Sequence, residues 1–423
     1  MIFARNAALL YLSFVVSGLT NVAAQSFFAH AAPDQKQIWL ALTLLLGTAG
    51  SLVGVAVARR LGFPGRPGPT GAAVACAVTV VVWWGFHVTS ILVYVGLHLA
   101  ARTLANFATQ EIDRRAVALA GATLRQQNDR VGTGLRFTGM LLGPLWFGLF
   151  PRAGIPTMIA LVALTLASVL TTMTVAGAAS IPRPAAGAAG RPMSGPERVL
   201  VAAAVIIYAS YYLLASNIVY VLSDVHGRGD SASFGGLLIT LVYGSAILGT
   251  IASAPLARRG LGLRWMLAAP AMMIVCGLSV CSPLVTRPLV VYPGAVLLGL
   301  GFALFLLAFR EHATREAQRG QGAWIAIYNN LGNTSALLGF GSMLALVAAG
   351  RAFAIPYGAL LSTGVAALGL GGLGAAALAA RLLPAHGSEE AHKRGGGSAD
   401  RSRAVQRPIP RAKDRRLRSC ADR

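Results

Sequence analysis

Acidic residues are scarce in this chain. Its 423 residues include 14 Asp and Glu against 36 Lys and Arg, and charged residues of both signs make up only 12%. A soluble protein of this length carries roughly twice that charged fraction. A water-exposed globule is therefore excluded. Cysteine is scarcer still. Cys76, Cys276 and Cys281 lie in apolar runs and Cys420 near the end of the chain. Buried thiols of that kind pack as small hydrophobes, and the four form neither a disulfide framework nor a zinc pattern. His-Glu-x-x-His, Gly-x-Ser-x-Gly and nucleotide-loop patterns are also missing. Polytopic enzymes need clustered acids, histidines or a nucleophile with its base. No enzyme, cofactor or metal is expected.

What the chain has instead is apolar length. It is 55% hydrophobic with a mean hydropathy of +0.64. Runs of about 20 apolar residues, the length that spans a bilayer, recur throughout. Twelve candidate spans are predicted at 6–29, 38–58, 70–86, 88–109, 130–150, 155–179, 199–222, 234–257, 265–283, 289–309, 323–349 and 353–381. The first shows no clear cleavage site and reads as a retained helix. The expected fold class is an all-α membrane protein with twelve transmembrane helices in two pseudo-symmetric six-helix bundles.

The net charge of +22 raises the question of nucleic acid, and its distribution answers it. The tail 382–423 holds eleven Lys/Arg and five Asp/Glu, and most of the remaining excess lies at span ends. With a cytoplasmic N-terminus, fifteen arginines fall in inside loops and five basic residues in outside loops. That is the positive-inside asymmetry, and both termini then face the cytoplasm. All six tryptophans fall near span ends, as interfacial tryptophans should. The expected partners are a small-molecule substrate, protons and membrane lipid, without nucleic acid, for a protein acting as a monomer. The Ala, Gly and Arg bias points to a bacterium of high G+C content and its inner (plasma) membrane.

The stretch 180–198 (SIPRPAAGAAGRPMSGPER) is rich in Pro, Gly and Ala and reads as a linker between 1–179 and 199–381. The tail 382–423 has no apolar periodicity and is expected to be disordered. Its basic charge could meet anionic lipid, or it is simply a solvated tail. The two halves echo each other. Ala-Arg-Arg at 58–60 returns at 257–259, Thr20-Asn21-Val22 returns as Ser216-Asn217-Ile218, and Glu111, Gly132 and Gly139 return as Glu311, Gly332 and Gly339. Matched offsets around a central linker indicate six helices duplicated into twelve.

In these features the stretch from Met1 to about Leu382 resembles the major facilitator superfamily. The family's loop after its second span reads Gly-x-x-x-Asp-Arg-x-Gly-Arg-Arg. Here Gly54, Arg59, Arg60 and Gly62 match, while the aspartate is missing. The resemblance implies alternating access around a central site. It also places Glu111 within reach of Arg59 and Arg60, and Glu311 within reach of Arg258 and Arg259, as a cytoplasmic latch. The alternative is that these arginines only set orientation.

No acid lies in the middle of a span, yet Arg102 and Arg136 sit inside spans four and five. A charge at the bilayer centre costs about 2.5–3.5 kcal/mol on insertion scales, so it needs a reason. His98, Arg102 and Asn106 follow i, i+4, i+8 spacing and share a helix face. Arg102 matches the family's fourth-helix Arg-x-x-x-Gly, with Asn106 replacing the glycine. His98 is either a proton-coupling group or a packed histidine. Asp129, two turns from Arg136, is a second proton candidate or that arginine's structural partner. Asn21, Gln25, Tyr211, Asn217, Tyr243, Asn329 and Asn330 lie on the spans that line the cavity in the resembled fold. With Arg102, Asn106 and Arg136 they form the expected substrate site. Two arginines without a midspan carboxylate favour an anionic or zwitterionic metabolite or drug.

Span five reads Gly139-Met-Leu-Leu-Gly143-Pro144-Leu-Trp-Phe147-Gly148. It resembles the fifth-helix signature of family antiporters, Gly-x-x-x-Gly-Pro-x-x-Gly-Gly, with Phe147 in place of one glycine. Gly139 and Gly143 permit close helix contact, and Pro144 bends the helix. The expected function is proton-coupled export by a secondary transporter. Proton-coupled import and a transporter-like membrane sensor are the alternatives.

Overall fold

A computed structural model describes residues 24–25, 27–61, 77, 90–119, 125–149, 193–217, 231–258, 263–281, 288–318 and 323–382. Regular structure among the described residues is entirely helical. Nine α-helices follow in order: α1 (Lys36–Leu61), α2 (Ile91–Leu119), α3 (Arg125–Leu149), α4 (Gly195–Ala215), α5 (Ser231–Arg258), α6 (Leu263–Val280), α7 (Pro288–Gln318), α8 (Ala323–Phe353) and α9 (Tyr357–Leu382). They coincide with spans two, four, five and seven to twelve. Span one is described only at its end, which is helical at residues 27–31. Spans three and six, the linker up to Pro192 and the tail from Leu383 fall outside the described residues, apart from Ala77.

Six described helices are long and apolar enough to cross a membrane. Their outer faces carry exposed Val53, Leu248, Ile251 and Leu370. Water would penalise such contiguous apolar surface, and a lipid solvent does not. Two helices run furthest beyond the spans that hydropathy predicts. Helix α2 has 29 residues and α7 has 31. At 1.5 Å per residue each is about 45 Å long, against a hydrocarbon core of about 30 Å. The positions of Glu111 and Glu311 therefore lie on helix rather than in loops.

Local chemistry fixes several helix ends. Helix α4 begins where Ser194, as N-cap, gives its backbone N–H (2.6 Å) and its hydroxyl (2.8 Å) to the Glu197 carboxylate. Pro196 lies in the first turn, where a missing N–H costs nothing. At the other end of the chain, α8 stops at Ala354, which adopts a left-handed φ of 52°. The Ile355 N–H then returns to the Gly350 carbonyl at 3.1 Å, and Pro356 prevents the helix from continuing. Pro144 removes one backbone bond inside α3, yet helical structure runs through it.

The described helices pack in two groups. Helix α4 lies against α8 and α9, α6 against α7 and α9, and α5 against α7, while α1 lies against α2. The largest contacts joining them are α3 on α5 and α1 on α8, and α3 also touches α7. Gly134 faces Thr250 and Leu141 faces Gly244, so α3 and α5 run antiparallel. Among the described glycines, Gly299 of α7 leaves the least room for a side chain. A Cβ there would strike the Val242 carbonyl and the Ser245 hydroxyl of α5. Glycine is what lets these two helices touch.

Candidate functional site

The line His98–Arg102–Asn106 of α2 faces inward, and each residue meets a different neighbour. His98 is fully buried against α1. A Cβ on Gly47 would lie 2.6 Å from the imidazole Cδ2, 2.7 Å from Nε2 and 3.3 Å from Arg102 Cγ. The glycine at 47 is thus the space the imidazole occupies. Ser51 of α1 sets its hydroxyl 3.5 Å from the Arg102 carbonyl, one turn further along. The Arg102 guanidinium interacts electrostatically with Tyr212 of α4 and Tyr243 of α5. Asn106 donates its amide to Asn333 Oδ1 of α8 at 3.3 Å. One sequence face therefore serves three purposes: packing, charge and a link between helices.

Next to Arg102 lies an aromatic cluster. Tyr211 donates its hydroxyl to Tyr243 at 2.8 Å. The Phe302 ring of α7 has its centroid 4.5 Å from Tyr208, 4.6 Å from Tyr211 and 5.9 Å from Phe137. Phe137 follows Arg136 on α3, so the cluster bridges that helix to α4 and α7. Tyr208 lies within electrostatic reach of Arg136. The hydroxyls of Tyr208 and Tyr328 are buried and have no hydrogen-bond partner. Gln25, Arg102, Arg136, Tyr211, Tyr243 and Asn217 are thus all inside the described bundle, and Asn330 is half-buried on α8.

Polar contacts tie the helices together on either side of this cluster. Gln25 donates its amide to the Ala215 carbonyl of α4 at 3.1 Å. Asn217 gives its amide to the Leu213 carbonyl at 2.8 Å and accepts the Tyr357 hydroxyl at 3.1 Å. Arg310 of α7 donates Nη1 to Thr133 Oγ1 of α3 at 3.1 Å, and its guanidinium stands 5.3 Å from the Tyr328 ring centre. Five of the expected substrate contacts, Gln25, Asn106, Tyr211, Asn217 and Tyr243, are thus engaged in helix–helix bonds.

Several sequence-derived candidates lie beyond the described contacts. Asn21 and Arg259 fall outside the described residues, and for Arg59, Arg60, Glu111, Asp129, Arg258 and Asn329 the helix is described but not the side chain. Glu311 is half-buried on the extension of α7. Gly139, Gly143 and Pro144 are buried in α3, the helix that packs on α5. Sequence reasoning passed over Thr133, Phe137, Phe302 and Arg310. Arg310 reads as a loop residue when hydropathy ends the span at 309, and a phenylalanine in an apolar run carries no periodic signal.

Solved structures supply a comparison for the whole arrangement. A D-xylose–proton symporter aligns with a TM-score of 0.64 at 14% identity, covering 90% of this chain and 97% of that one. A bacterial homolog of the human lysosomal transporter Spinster, inward-facing and occupied, aligns at 0.59 with 15% identity, covering 90% and 94%. The human organic anion transporter MFSD10 aligns at 0.59 with 15% identity, covering 88% and 99%. No family model and no curated protein sequence matches the chain. Near-complete coverage in both directions means that the likeness extends over the length of both chains. The chain shares the fold of these transporters, and nine helices of that fold lie among its described residues.

Proposed function

We propose that this protein is a secondary transporter that exports a small anionic or zwitterionic metabolite or drug in exchange for protons. The observation that carries the reading is the placement of Arg102 and Arg136 beside tyrosines at the junction of helices from both halves. Cations inside a lipid-solvated bundle are costly unless a partner or substrate meets them. The halves are 1–179 and 199–381, connected by 180–198 and followed by the tail 382–423. They rock about the cluster in the inner membrane, with both termini cytoplasmic and the monomer as the working unit. His98, one turn from Arg102, is the proton-coupling candidate, with Asp129 as the second. The Gly139-Gly143-Pro144 signature on α3 favours export over import.

Rocking has to break three polar links: Asn106 with Asn333, Arg310 with Thr133, and Gln25 with the Ala215 carbonyl. The latch of Glu111 with Arg59 and Arg60, and of Glu311 with Arg258 and Arg259, is proposed in addition. The helical extensions of α2 and α7 support it, because they hold both glutamates on stiff rods. The test is proton flux in proteoliposomes under an imposed pH gradient, with organic anions and organic cations offered separately. Arg136→Ala is expected to abolish anion-driven flux while the protein still inserts. Normal flux in that variant overturns the anchor, and zero flux for every substrate class overturns the transporter reading.

A further inference from the structure

Two tyrosines stand side by side on α4 and differ in what their hydroxyls do. Tyr211 gives its hydroxyl to Tyr243. Tyr212 is half-buried, and its hydroxyl makes no hydrogen bond among the described residues. Its ring is nonetheless closely placed. It meets Phe340 of α8 edge-on, with centroids 5.7 Å apart and ring planes at 65°. A Cβ on Gly339 would stand 3.0 Å from Tyr212 Cβ and 2.7 Å from the Ala209 carbonyl oxygen. A Cβ on Gly332 would stand 3.4 Å from the Tyr212 hydroxyl oxygen. The phenol therefore lies along α8, its base at Gly339 and its tip at Gly332, about two turns apart.

These two glycines differ in kind. At Gly339 the backbone of α4 leaves no room for a side chain, so packing explains the residue. At Gly332 the tyrosine oxygen is the only atom from the other described helices within 4 Å of the added carbon, and it stands at an ordinary contact distance. Alanine would fit there, and inside a helix alanine is favoured over glycine. What glycine leaves at 332 is space beside a hydroxyl that has no partner.

The same turn of α8 carries Asn333, the next residue. Asn106 of α2 donates its amide to Asn333 Oδ1 at 3.3 Å, and neither side chain makes another hydrogen bond among the described residues. One bond between two amides uses the N–H2 group of one and the carbonyl of the other. The remaining carbonyl and the remaining N–H2 group stay unused, whichever way round the two amides are assigned. One turn of α8 thus gathers an unused acceptor and two unused donors, the second donor being the Tyr212 hydroxyl. A hydroxyl on a ligand both donates and accepts, and so matches that set. A carboxylate only accepts, and leaves the amide carbonyl unmet.

We propose that the substrate anion carries a hydroxyl, seated in the space beside Gly332, which donates to the unused carbonyl of the Asn106–Asn333 pair and accepts from Tyr212. The substrate is then a hydroxy acid. The proposal rests on the transporter reading for the anionic end, which meets Arg102, one turn from Asn106 on the same face of α2. It adds Tyr212 and Asn333 to the substrate contacts, and it gives Gly332 a positioning role that packing does not.

The test is isothermal titration calorimetry of the full chain in detergent with 2-, 3- and 4-hydroxybutyrate, and with butyrate as the probe that lacks the hydroxyl. At least one hydroxybutyrate is expected to bind about tenfold or more tightly than butyrate. Tyr212→Phe and Gly332→Ala are each expected to lower that ratio several-fold, the first by removing a donor and the second by filling the space. Gly332→Ala is also expected to melt no lower than the parent. Hydroxybutyrates that all bind like butyrate, no binding of any probe, or a ratio unchanged in either variant overturns the proposal. A Gly332→Ala variant that melts well below the parent assigns the glycine to packing and overturns it too. Proteoliposome flux separates the two readings. Preferential hydroxybutyrate binding without flux overturns the transporter and leaves the site standing, whereas equal flux of butyrate and the hydroxybutyrates does the reverse.

Discussion

Replacing Gly47 with alanine tests how tightly His98 is held. The added methyl would stand 2.6 and 2.7 Å from two imidazole atoms, where ordinary carbon contacts are about 3.5–4.0 Å. About 1 Å must be found, and the ring is fully buried with Arg102 Cγ only 3.3 Å from the same point. Overpacking of this kind costs about 1–3 kcal/mol. At about 2–4 °C per kcal/mol for a chain of some size, thermal unfolding should come earlier by about 2–12 °C. The sharper measurement is a double-mutant cycle. His98→Ala removes the obstructing ring, so Gly47→Ala should cost little in that background. The coupling between the two sites should then be about 1–3 kcal/mol, the range for residues in direct contact. The assay is thermal unfolding in detergent, read by tryptophan fluorescence, for the parent, both single variants and the double variant. Additive effects would refute the contact, and so would a Gly47→Ala variant that melts with the parent.

Three further substitutions probe other contacts. Ala354→Gly should raise stability by about 1 kcal/mol, because a left-handed φ penalises a side chain with a Cβ; a lower melting temperature would contradict this. Gly299→Ala should lower the yield of folded protein sharply. Its methyl meets the Val242 carbonyl, which cannot swing aside as a side chain can, and size-exclusion profiles matching the parent would contradict the close approach of α5 and α7. Thr133→Val keeps the shape and removes the acceptor for Arg310. Hydrogen bonds to charged groups contribute about 1.5–3 kcal/mol, so states with α3 and α7 apart should rise about tenfold or more relative to the state with the pair formed. Spin-label distances between α3 and α7 would register that shift, and an unchanged distribution would refute the role of the pair.

Hydropathy located the nine described helices because lipid selects for apolarity over a fixed length. The same logic misjudged where α2 and α7 end. Apolarity reports the hydrocarbon, while the helix continues into water on its own backbone hydrogen bonds, through Asp113 and Arg114 in α2 and through Glu311 to Glu316 in α7. The site was legible where it depends on rare residues. Arg102 and Arg136 stand out in a chain with 12% charge, and the i, i+4 spacing of His98 and Arg102 predicts a shared face. It was illegible where partners are distant or ordinary. Thr133 and Arg310 are 177 positions apart, and nothing in either neighbourhood points to the other. Phe137 and Phe302 matter through the meeting of their rings, a property of packing and not of residue type. The unpartnered hydroxyls are of the same kind, since a tyrosine in the sequence does not reveal whether its oxygen finds a partner.

The length of α7 has a mechanical consequence. Its 31 residues form a rod about 45 Å long. Arg310 lies seven residues beyond the midpoint at Ala303, about 10 Å along the axis. If the rod pivots by about 10° around its middle, Arg310 travels about 2 Å. Added to a donor–acceptor separation of 3.1 Å, that displacement carries the pair past hydrogen-bonding range. The far tip of the rod moves about twice as far. Helix α7 is therefore a lever whose short inner arm works a release and whose long arm sweeps the solvent-facing end, so one small rotation accomplishes both.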